Sequence, residues 1–361
     1  MSTDRACQRC LARTWLLRRM AAHLDLARGR IELVLGLGDE ELIEALGGKQ
    51  RSAIRAELAR FDVEHVRRRA ANAELELICR CDPAYPRRLA SSPSPPAVLH
   101  VAGGLERFLD LVSGEPVAIV GARRASTYGL EMAAALGRGL ASAGLTVLSG
   151  MALGIDSAAH TGVLDAGAPT VAVLPGGADH PYPAAKRVLH RRIKATGAAV
   201  SELPPGTAPR RWCFPARNRI IAALSAMTVV VEAGERSGAL LTAAFATGVG
   251  RPIGAVPGRV TSSLATGPNR LLAAGARLVG GPQDVLDELF GAGGPTALTP
   301  EKPDLGPEPR RLLDAIAASD DTAMALSRAG LANERGLGAL AALELAGYVR
   351  RGAGGSFTVV P

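Results

Sequence analysis

Lysine and aromatic side chains are scarce in this chain of 361 residues. Aromatic residues make up 3% of it, so a ring inside a charged segment is a candidate for function. Of the 42 basic residues only four are lysine, and a genomic bias toward arginine would explain this skew. The formal net charge of +8 favours polyanionic partners, but on its own it decides little between function classes.

The chain also lacks long apolar runs and low-complexity tracts. No stretch reaches the ~18 apolar residues of a membrane span, and the arginine-rich start has no signal-peptide core. We therefore expect a cytoplasmic protein without a membrane partner. The 42 glycines and 24 prolines lie in loops between apolar segments, which excludes collagen-like and wholly disordered chains. A folded protein of two or three domains is predicted.

Five cysteines are present, and in a cytoplasmic protein they are expected to be reduced thiols rather than a disulfide framework. Cys7 and Cys10, together with Cys79 and Cys81, could supply four thiolates to zinc. Against zinc, the second pair has an unusual spacing, and the two pairs lie about 70 residues apart. The preferred interpretation is free thiols, with no metal and no cofactor.

Residues 1–72 show apolar positions at helical spacing and predict a small helical domain. Within it, residues 31–46 resemble a helix-hairpin-helix or SAM-like unit, which can hold a DNA phosphate. A plain helical bundle that packs on the next domain fits the pattern equally well. A proline-rich stretch over residues 83–96 follows.

Residues 75–290 alternate short apolar strands with amphipathic helices, which predicts an α/β fold. Alternation of this kind favours a Rossmann-like, doubly wound, mostly parallel sheet with helices on both faces. The predicted strands are residues 117–120, 146–149, 170–174, 199–201, 228–232, 252–256 and 276–279.

A glycine- and proline-rich segment at residues 291–307 predicts a linker. Residues 308–361 then predict three helices and a hairpin, the pattern of a winged-helix domain. Its presumptive recognition helix, from Leu337, is rich in alanine and leucine and offers few groups to base edges. Protein contact is favoured over duplex DNA for this domain, although duplex binding stays open.

Several predicted strands end in glycine-bearing loops that lead into helices, as at Gly121, Gly150 and Gly176. In doubly wound sheets such loops bind anions, so a phosphate-bearing ligand is expected. None matches the dinucleotide or P-loop motifs. Pro175-Gly176-Gly177 is similar to a phosphoribohydrolase loop, which makes a nucleotide or nucleotide-sugar hydrolase the runner-up, but the catalytic continuation of that family is missing.

The segment from Lys186 to Arg219 carries nine basic residues against one acid, Glu202. Within it, Trp212 and Phe214 lie between four arginines, a combination that suits phosphates and base faces. The structural alternative is that the rings are core residues and the arginines form a solvated face.

Besides a DNA-binding protein and a hydrolase, a third hypothesis for the function is a structural or regulatory dimer whose charge reflects genomic bias.

The ordered motifs that cover roughly residues 85–279 resemble those of the DprA/Smf family of DNA-processing proteins. They are IVGARRASTYG at 119–129, SGMALGIDSAAH at 149–160, SE at 201–202, FPARNRII at 214–221, VEA at 231–233, SGALLTA at 237–243 and AVPG at 255–258. The resemblance implies a non-enzymatic recombination mediator of natural transformation that binds and protects single-stranded DNA. It also implies homodimerisation and loading of the recombinase RecA onto that DNA.

The resemblance and the residue pattern together nominate a set of DNA-binding residues. The resemblance assigns one phosphate to the loop of Gly121, Ala122 and Arg123, where alanine replaces the frequent serine of the family, and another to the loop of Ser149, Gly150 and Gly154. It assigns DNA backbone to Arg217 and Arg219, a base to Phe214, and a bracing or nucleotide contact to Asn218. Lys186 joins the set from the basic segment, and Trp212 from the aromatic pattern. Structural roles are preferred for Asp156, His160, Glu202 and Glu232.

Overall fold

A ten-stranded sheet dominates the computed structural model, which describes residues 4–292, 305–318, 322–331, 333–352 and 356–359. A separate two-stranded sheet lies near the end of the chain. The strands are β1 Asp4–Arg5, β2 Glu76–Cys79, β3 Val98–Ala102, β4 Val117–Val120, β5 Val147–Ser149, β6 Thr170–Val173, β7 Ala198–Ser201, β8 Met227–Val230, β9 Ile253–Ala255, β10 Arg277–Leu278, β11 Val349–Arg351 and β12 Phe357–Val359.

The large sheet has the order β1-β2-β3-β7-β6-β5-β4-β8-β9-β10, and the seven strands from β7 to β10 are parallel. The chain proceeds from β4 outward to β7 and then returns to place β8 on the other side of β4. This reversal makes the boundary between β4 and β8 a topological switch point, where α/β sheets bind ligands. The predicted doubly wound α/β fold is confirmed.

Strands β1 to β3 extend the sheet beyond the prediction. Strand β3 pairs antiparallel with β7, β2 antiparallel with β3, and β1 parallel with β2. Periodicity did not predict these three strands, because they lie between turn signals and lack the strand-helix alternation of the later segments. The extension attaches the start of the chain to the sheet.

Helices cover both faces of the large sheet. They are α1 Gln8–Arg19, α2 Ala21–Leu26, α3 Ile31–Gly36, α4 Asp39–Leu46, α5 Arg51–Ala59, α6 Val63–Asn72, α7 Arg87–Ala90, α8 Leu105–Ser113, α9 Thr127–Ser142, α10 Ile155–Asp165, α11 Arg187–Thr196, α12 Cys213–Leu224, α13 Gly238–Gly248, α14 Thr266–Ala273, α15 Pro282–Phe290, α16 Pro307–Ala317, α17 Thr322–Arg328 and α18 Asn333–Leu345. Short 3-10 turns occur at Arg28–Arg30, Gly48–Gln50 and Ala184–Lys186.

The core follows the two-residue period of the strands. In β4, Val117 and Ile119 pack with α9, α10 and α15 on one face, whereas Ala118 and Val120 pack with α8, α12 and α13 on the other. Burial on both faces explains why these strands are continuous apolar runs.

Helices α1 to α5 pack on α12 through a hydrophobic cluster that includes Leu16, Leu24 and Ile43. Trp212 lies in this cluster and is 1% exposed. A ring with no accessible face cannot stack on a base, so the assignment of Trp212 to DNA is corrected to a core residue. The predicted pair of helices around Leu37 is present as α3 and α4, while a phosphate contact there stays a prediction.

Helices α16 to α18 share a small core with the antiparallel pair β11 and β12. The predicted three helices and hairpin are therefore present within residues 305–359, apart from the undescribed positions. Most of the predicted linker lies outside the described residues, and the winged-helix assignment and the domain boundaries stay predictions. Among the described residues, no helix is both long and apolar enough to cross a membrane.

The buried position of Trp212 predicts that Trp212→Ala lowers the free energy of unfolding by about 3 to 5 kcal/mol, because the substitution leaves a large cavity. Denaturant unfolding measures this loss. Leu26→Ala is the matched control, since Leu26 belongs to the same helical region and is 87% exposed, and its effect should stay within about 0.5 kcal/mol. Unchanged stability in Trp212→Ala would contradict the packing described here.

Candidate functional site

A cleft of about 390 Å³ opens at the carboxyl ends of β4 and β8, where the sheet order reverses. Its lining comes from the loop after β4, the start of α10, the first half of α12 and the start of α13. Arg28, from the N-terminal helices, joins them. Among the predicted residues, the lining contains Gly121, Arg123, Phe214, Arg217 and Asn218.

Glycine is required where the loops after β4 and β5 meet. Gly154 has a φ of +80°, and a Cβ there would lie 2.2 Å from the carbonyl oxygen of Ala122. A Cβ on Gly121 would lie 2.5 Å from Ile155 Cγ1. These glycines therefore serve a close approach of two backbone segments. The amide of Ala122 donates to Glu232 O at 2.7 Å, so it is engaged within the protein.

The loop after β5 is closed by internal hydrogen bonds. The Ser149 hydroxyl is fully buried and donates to Ile119 O at 2.6 Å, and the Gly150 amide donates to Asp156 Oδ2 at 3.1 Å. The predicted phosphate contact of Ser149 and Gly150 is therefore corrected, since both donors are engaged inside the fold. Burial raises the pKa of the Asp156 carboxyl, against the opposing effect of Arg217 and the two loop amides.

Arg217 lies beneath the cleft with 6% of its surface exposed. Its Nη1 donates to Val173 O at 2.7 Å, and its Nε donates to Asn218 Oδ1 at 3.1 Å. Burial lowers the pKa of Arg217 to about 10, with Asp156 acting in the opposite direction, so the guanidinium stays charged at neutral pH. Arg217 is thus a fixed cation at the floor of the cleft and a structural centre rather than a mobile phosphate ligand.

Asn218 and Arg219 brace the site from α12. Asn218 Nδ2 donates to Gly238 O at 3.1 Å and ties α12 to the start of α13. Arg219 forms a buried ion pair, with its Nη2 at 2.6 Å from both Glu202 carboxylate oxygens and its Nη1 at 2.6 Å from Ser94 O. With 4% of its surface exposed, Arg219 cannot reach DNA, and that prediction is corrected.

Lys186 ends a 3-10 turn and is partly exposed, but it is absent from the lining of the cleft.

The residues for which structural roles were expected have separate hydrogen-bond partners. Glu232 accepts from the amide and hydroxyl of Ser126 at 2.9 and 2.5 Å, and His160 Nδ1 lies 2.8 Å from Thr170 Oγ1. Burial lowers the pKa of His160 to about 3. These side chains have different partners from Glu202 and Asp156, so the four do not assemble an acid/base site.

The exposed chemistry of the cleft is a cation stacked on an aromatic ring. The Arg123 guanidinium carbon lies 4.9 Å from the centre of the Phe214 ring. Tyr182 lies outside the cleft lining but beside the same ring, with 5.5 Å between ring centres, and is 38% exposed. The guanidinium provides charge, and the rings provide flat apolar surface.

Sequence reasoning missed Tyr182 and Arg28. Tyr182 follows the loop after β6, and the scarcity of aromatic residues was the signal that could have identified it. Arg28 is distant in sequence and reaches the lining only because the N-terminal helices dock on α12.

The turn that precedes Phe214 is anchored on the N-terminal helices. Asp25 accepts hydrogen bonds from the amide of Trp212 at 2.9 Å and from Arg210 Nε at 3.0 Å. Partial burial acts to raise the pKa of the Asp25 carboxyl, but these bonds prevail and lower it. Part of the arginine-rich segment is therefore neutralised within the protein.

Fold and site together define a Rossmann-like α/β protein with a cation-aromatic cleft at its switch point, suited to an anionic ligand with flat groups. The profile of the family described as "DNA recombination-mediator protein A" matches residues 76–290. The chain belongs to this family.

Relatives and solved structures agree. The chain is 44% identical over 249 residues to a putative DNA processing protein DprA of Mycobacterium tuberculosis, covering 66% of this chain and 63% of that protein. It is 34% identical over 284 residues to protein Smf of Synechocystis, covering 76% and 68%. The X-ray structure of DprA from Streptococcus pneumoniae matches with a TM-score of 0.63 and 32% identity, covering 78% and 96%.

A structure of DNA processing protein A from Helicobacter pylori matches with a TM-score of 0.52 and 30% identity, covering 56% of this chain and 92% of that one. It is described as giving insight into that protein's single-stranded DNA binding mode. The match to the Mycobacterium tuberculosis relative spans less than two thirds of that relative's length.

Proposed function

We propose that this protein is a recombination mediator that binds single-stranded DNA in the cleft between β4 and β8. The observation that carries the proposal is the Arg123 guanidinium over the Phe214 ring, in the lining of a cleft that also contains the buried cation of Arg217. Phosphates require cations, and unpaired bases require flat apolar surface, which this pair supplies together.

A single strand fits this arrangement better than a duplex. In a duplex the base faces are stacked on each other, and only groove edges and phosphates are accessible. Phe214 and Tyr182 present ring surface rather than a row of hydrogen-bonding groups, so their use requires splayed bases. Stacking of this kind tolerates any base, and binding should therefore show little sequence preference.

The hydrolase alternative loses its supporting feature. The Gly177 amide donates to Thr207 O at 2.9 Å, and a Cβ on Gly176 would lie 2.6 Å from that same oxygen. The loop of Pro175 thus packs on residues 204–209 and does not present these groups to a phosphate.

Family membership supports further proposals for this protein. They are homodimerisation, loading of RecA, protection of incoming DNA, a non-enzymatic role and cytoplasmic location.

Arg123→Ala should weaken binding of labelled single-stranded oligonucleotides of any sequence. It should also reduce the slope of log K against log salt by about 0.7 for each phosphate that the side chain neutralises. Titrations at two salt concentrations measure both. Arg277→Ala is the charge-matched control, because Arg277 lies on the edge strand β10 and pairs with Glu288 outside the cleft. Equal effects of the two substitutions would mean that only net charge matters.

Phe214→Ala should weaken binding by about 1 to 3 kcal/mol with little change in salt slope, because a neutral ring releases no counterions. Phe290→Ala serves as the aromatic control, since Phe290 is 42% exposed and absent from the cleft lining. Circular dichroism checks the fold. If Phe214→Ala binds as the wild type does, the ring is not a base platform.

A chain that ends at Phe290 retains the cleft and every strand of the large sheet. We expect it to keep single-strand affinity within about tenfold, or ~1.4 kcal/mol, of the full chain. The removed residues then contribute avidity rather than the main contact. If the truncated chain stays folded but loses binding, the principal DNA-binding site lies in the C-terminal helices.

A further inference from the structure

Four cysteines from two distant segments meet at the junction of the N-terminal helices and the sheet. The sulfur atoms of Cys7, Cys10, Cys79 and Cys81 all lie within 4.8 Å of one another. Cys10 and Cys79 are buried. The fold thus bridges the sequence separation that counted against a metal site, and the free-thiol interpretation stays a prediction.

The spacing of the sulfur atoms suits one tetrahedral ion. With Zn–S bonds of about 2.3 Å, tetrahedral geometry places neighbouring sulfur atoms ~3.8 Å apart. Cys10 Sγ and Cys81 Sγ are 3.7 Å apart. A disulfide requires about 2.05 Å, which this pair exceeds greatly.

Sheet pairing brings the two segments together. Asp4 pairs with Leu77 and Arg5 with Ile78, so β1 runs beside β2 toward the same end. Cys7 comes two residues after the end of β1, and Cys79 is the last residue of β2. The register therefore delivers one cysteine pair to the other without any change in the sheet.

Hydrogen-bond donors lie next to two of the four sulfur atoms. Cys7 is the N-cap of the twelve-residue helix α1, whose amino end carries partial positive charge. The Cys7 amide donates to Cys79 Sγ at 3.4 Å, and Arg9 Nη2 donates to Cys81 Sγ at 3.8 Å. Donors aimed at sulfur in this way orient metal ligands and offset their negative charge.

We propose that Cys7, Cys10, Cys79 and Cys81 bind a structural Zn²⁺ ion that fastens the start of the chain and helix α1 to the edge of the sheet. Zinc is favoured because four thiolates in a tetrahedron form a closed structural site for this ion, with no open position for catalysis. This site is independent of the proposed DNA cleft.

Elemental analysis of the full-length protein, purified without chelator, should find about one zinc per chain. Cys10→Ser and Cys81→Ser should each reduce this to below about a tenth. Cys213→Ser is the matched control and should retain the metal, because Cys213 is the one cysteine outside the cluster. Cys81→His should also retain zinc, since an imidazole replaces a thiolate in many such sites.

A thiol titration under denaturing, non-reducing conditions with chelator tests the wild type alone, so it does not depend on whether variants fold. All five cysteines should react. Each disulfide would remove two thiols from the count. Wild-type protein without bound metal, bound iron in place of zinc, or a count of three or one would overturn the proposal. DNA binding does not enter either measurement, so failure of the proposed function leaves this test unaffected.

Discussion

The buried guanidinium of Arg217 is the group around which the cleft is built. It bonds to the end of β6 through Val173 O, and it fills the space that a Cβ on Gly150 would occupy, with Nη1 only 1.7 Å from that position. Through Asn218 it connects to Gly238 and the start of α13. The segments after β5, β6 and β8 are therefore positioned by one cation. Its burial is tolerated because hydrogen bonds and the nearby Asp156 offset the loss of hydration.

The same arrangement explains a division of labour among arginines that are alike in sequence. Arg219 is paired with Glu202 in the core, and Arg210 is paired with Asp25 at the surface. Arg217 is held beneath the cleft by its hydrogen bond to Val173 O. Arg123 instead is exposed and lies over the Phe214 ring in the lining of the cleft. The proposed DNA contact therefore depends on a few cations with suitable geometry, and the number of basic residues in the segment overstates the charge available to a ligand.

Periodicity and glycine placement were sufficient to predict the parallel part of the sheet, because strands buried on both faces leave a clear apolar pattern. They could not predict β1, whose two residues carry no pattern and gain a strand partner only through tertiary structure. Nor could they separate Arg219 from Arg123, since the partners of Arg219 lie 17 and 125 residues away. The assignment of Trp212 to DNA was wrong for the same reason. Its apolar neighbours come from helices more than 150 residues earlier, and the local sequence shows only the charged context.

The N-terminal helices influence the cleft in two ways that the sheet alone could not supply. They place Arg28 in the lining, and through Asp25 they hold the turn from Arg210 to Trp212, which ends two residues before Phe214. The orientation of the Phe214 ring therefore depends on how firmly these helices pack against α12. The proposed zinc site lies where helix α1 meets the sheet. The ion would therefore restrict movement of the N-terminal helices relative to the sheet. A metal at this site would in this way pre-organise the Phe214 ring and reduce the entropy that is lost when a strand binds in the proposed cleft.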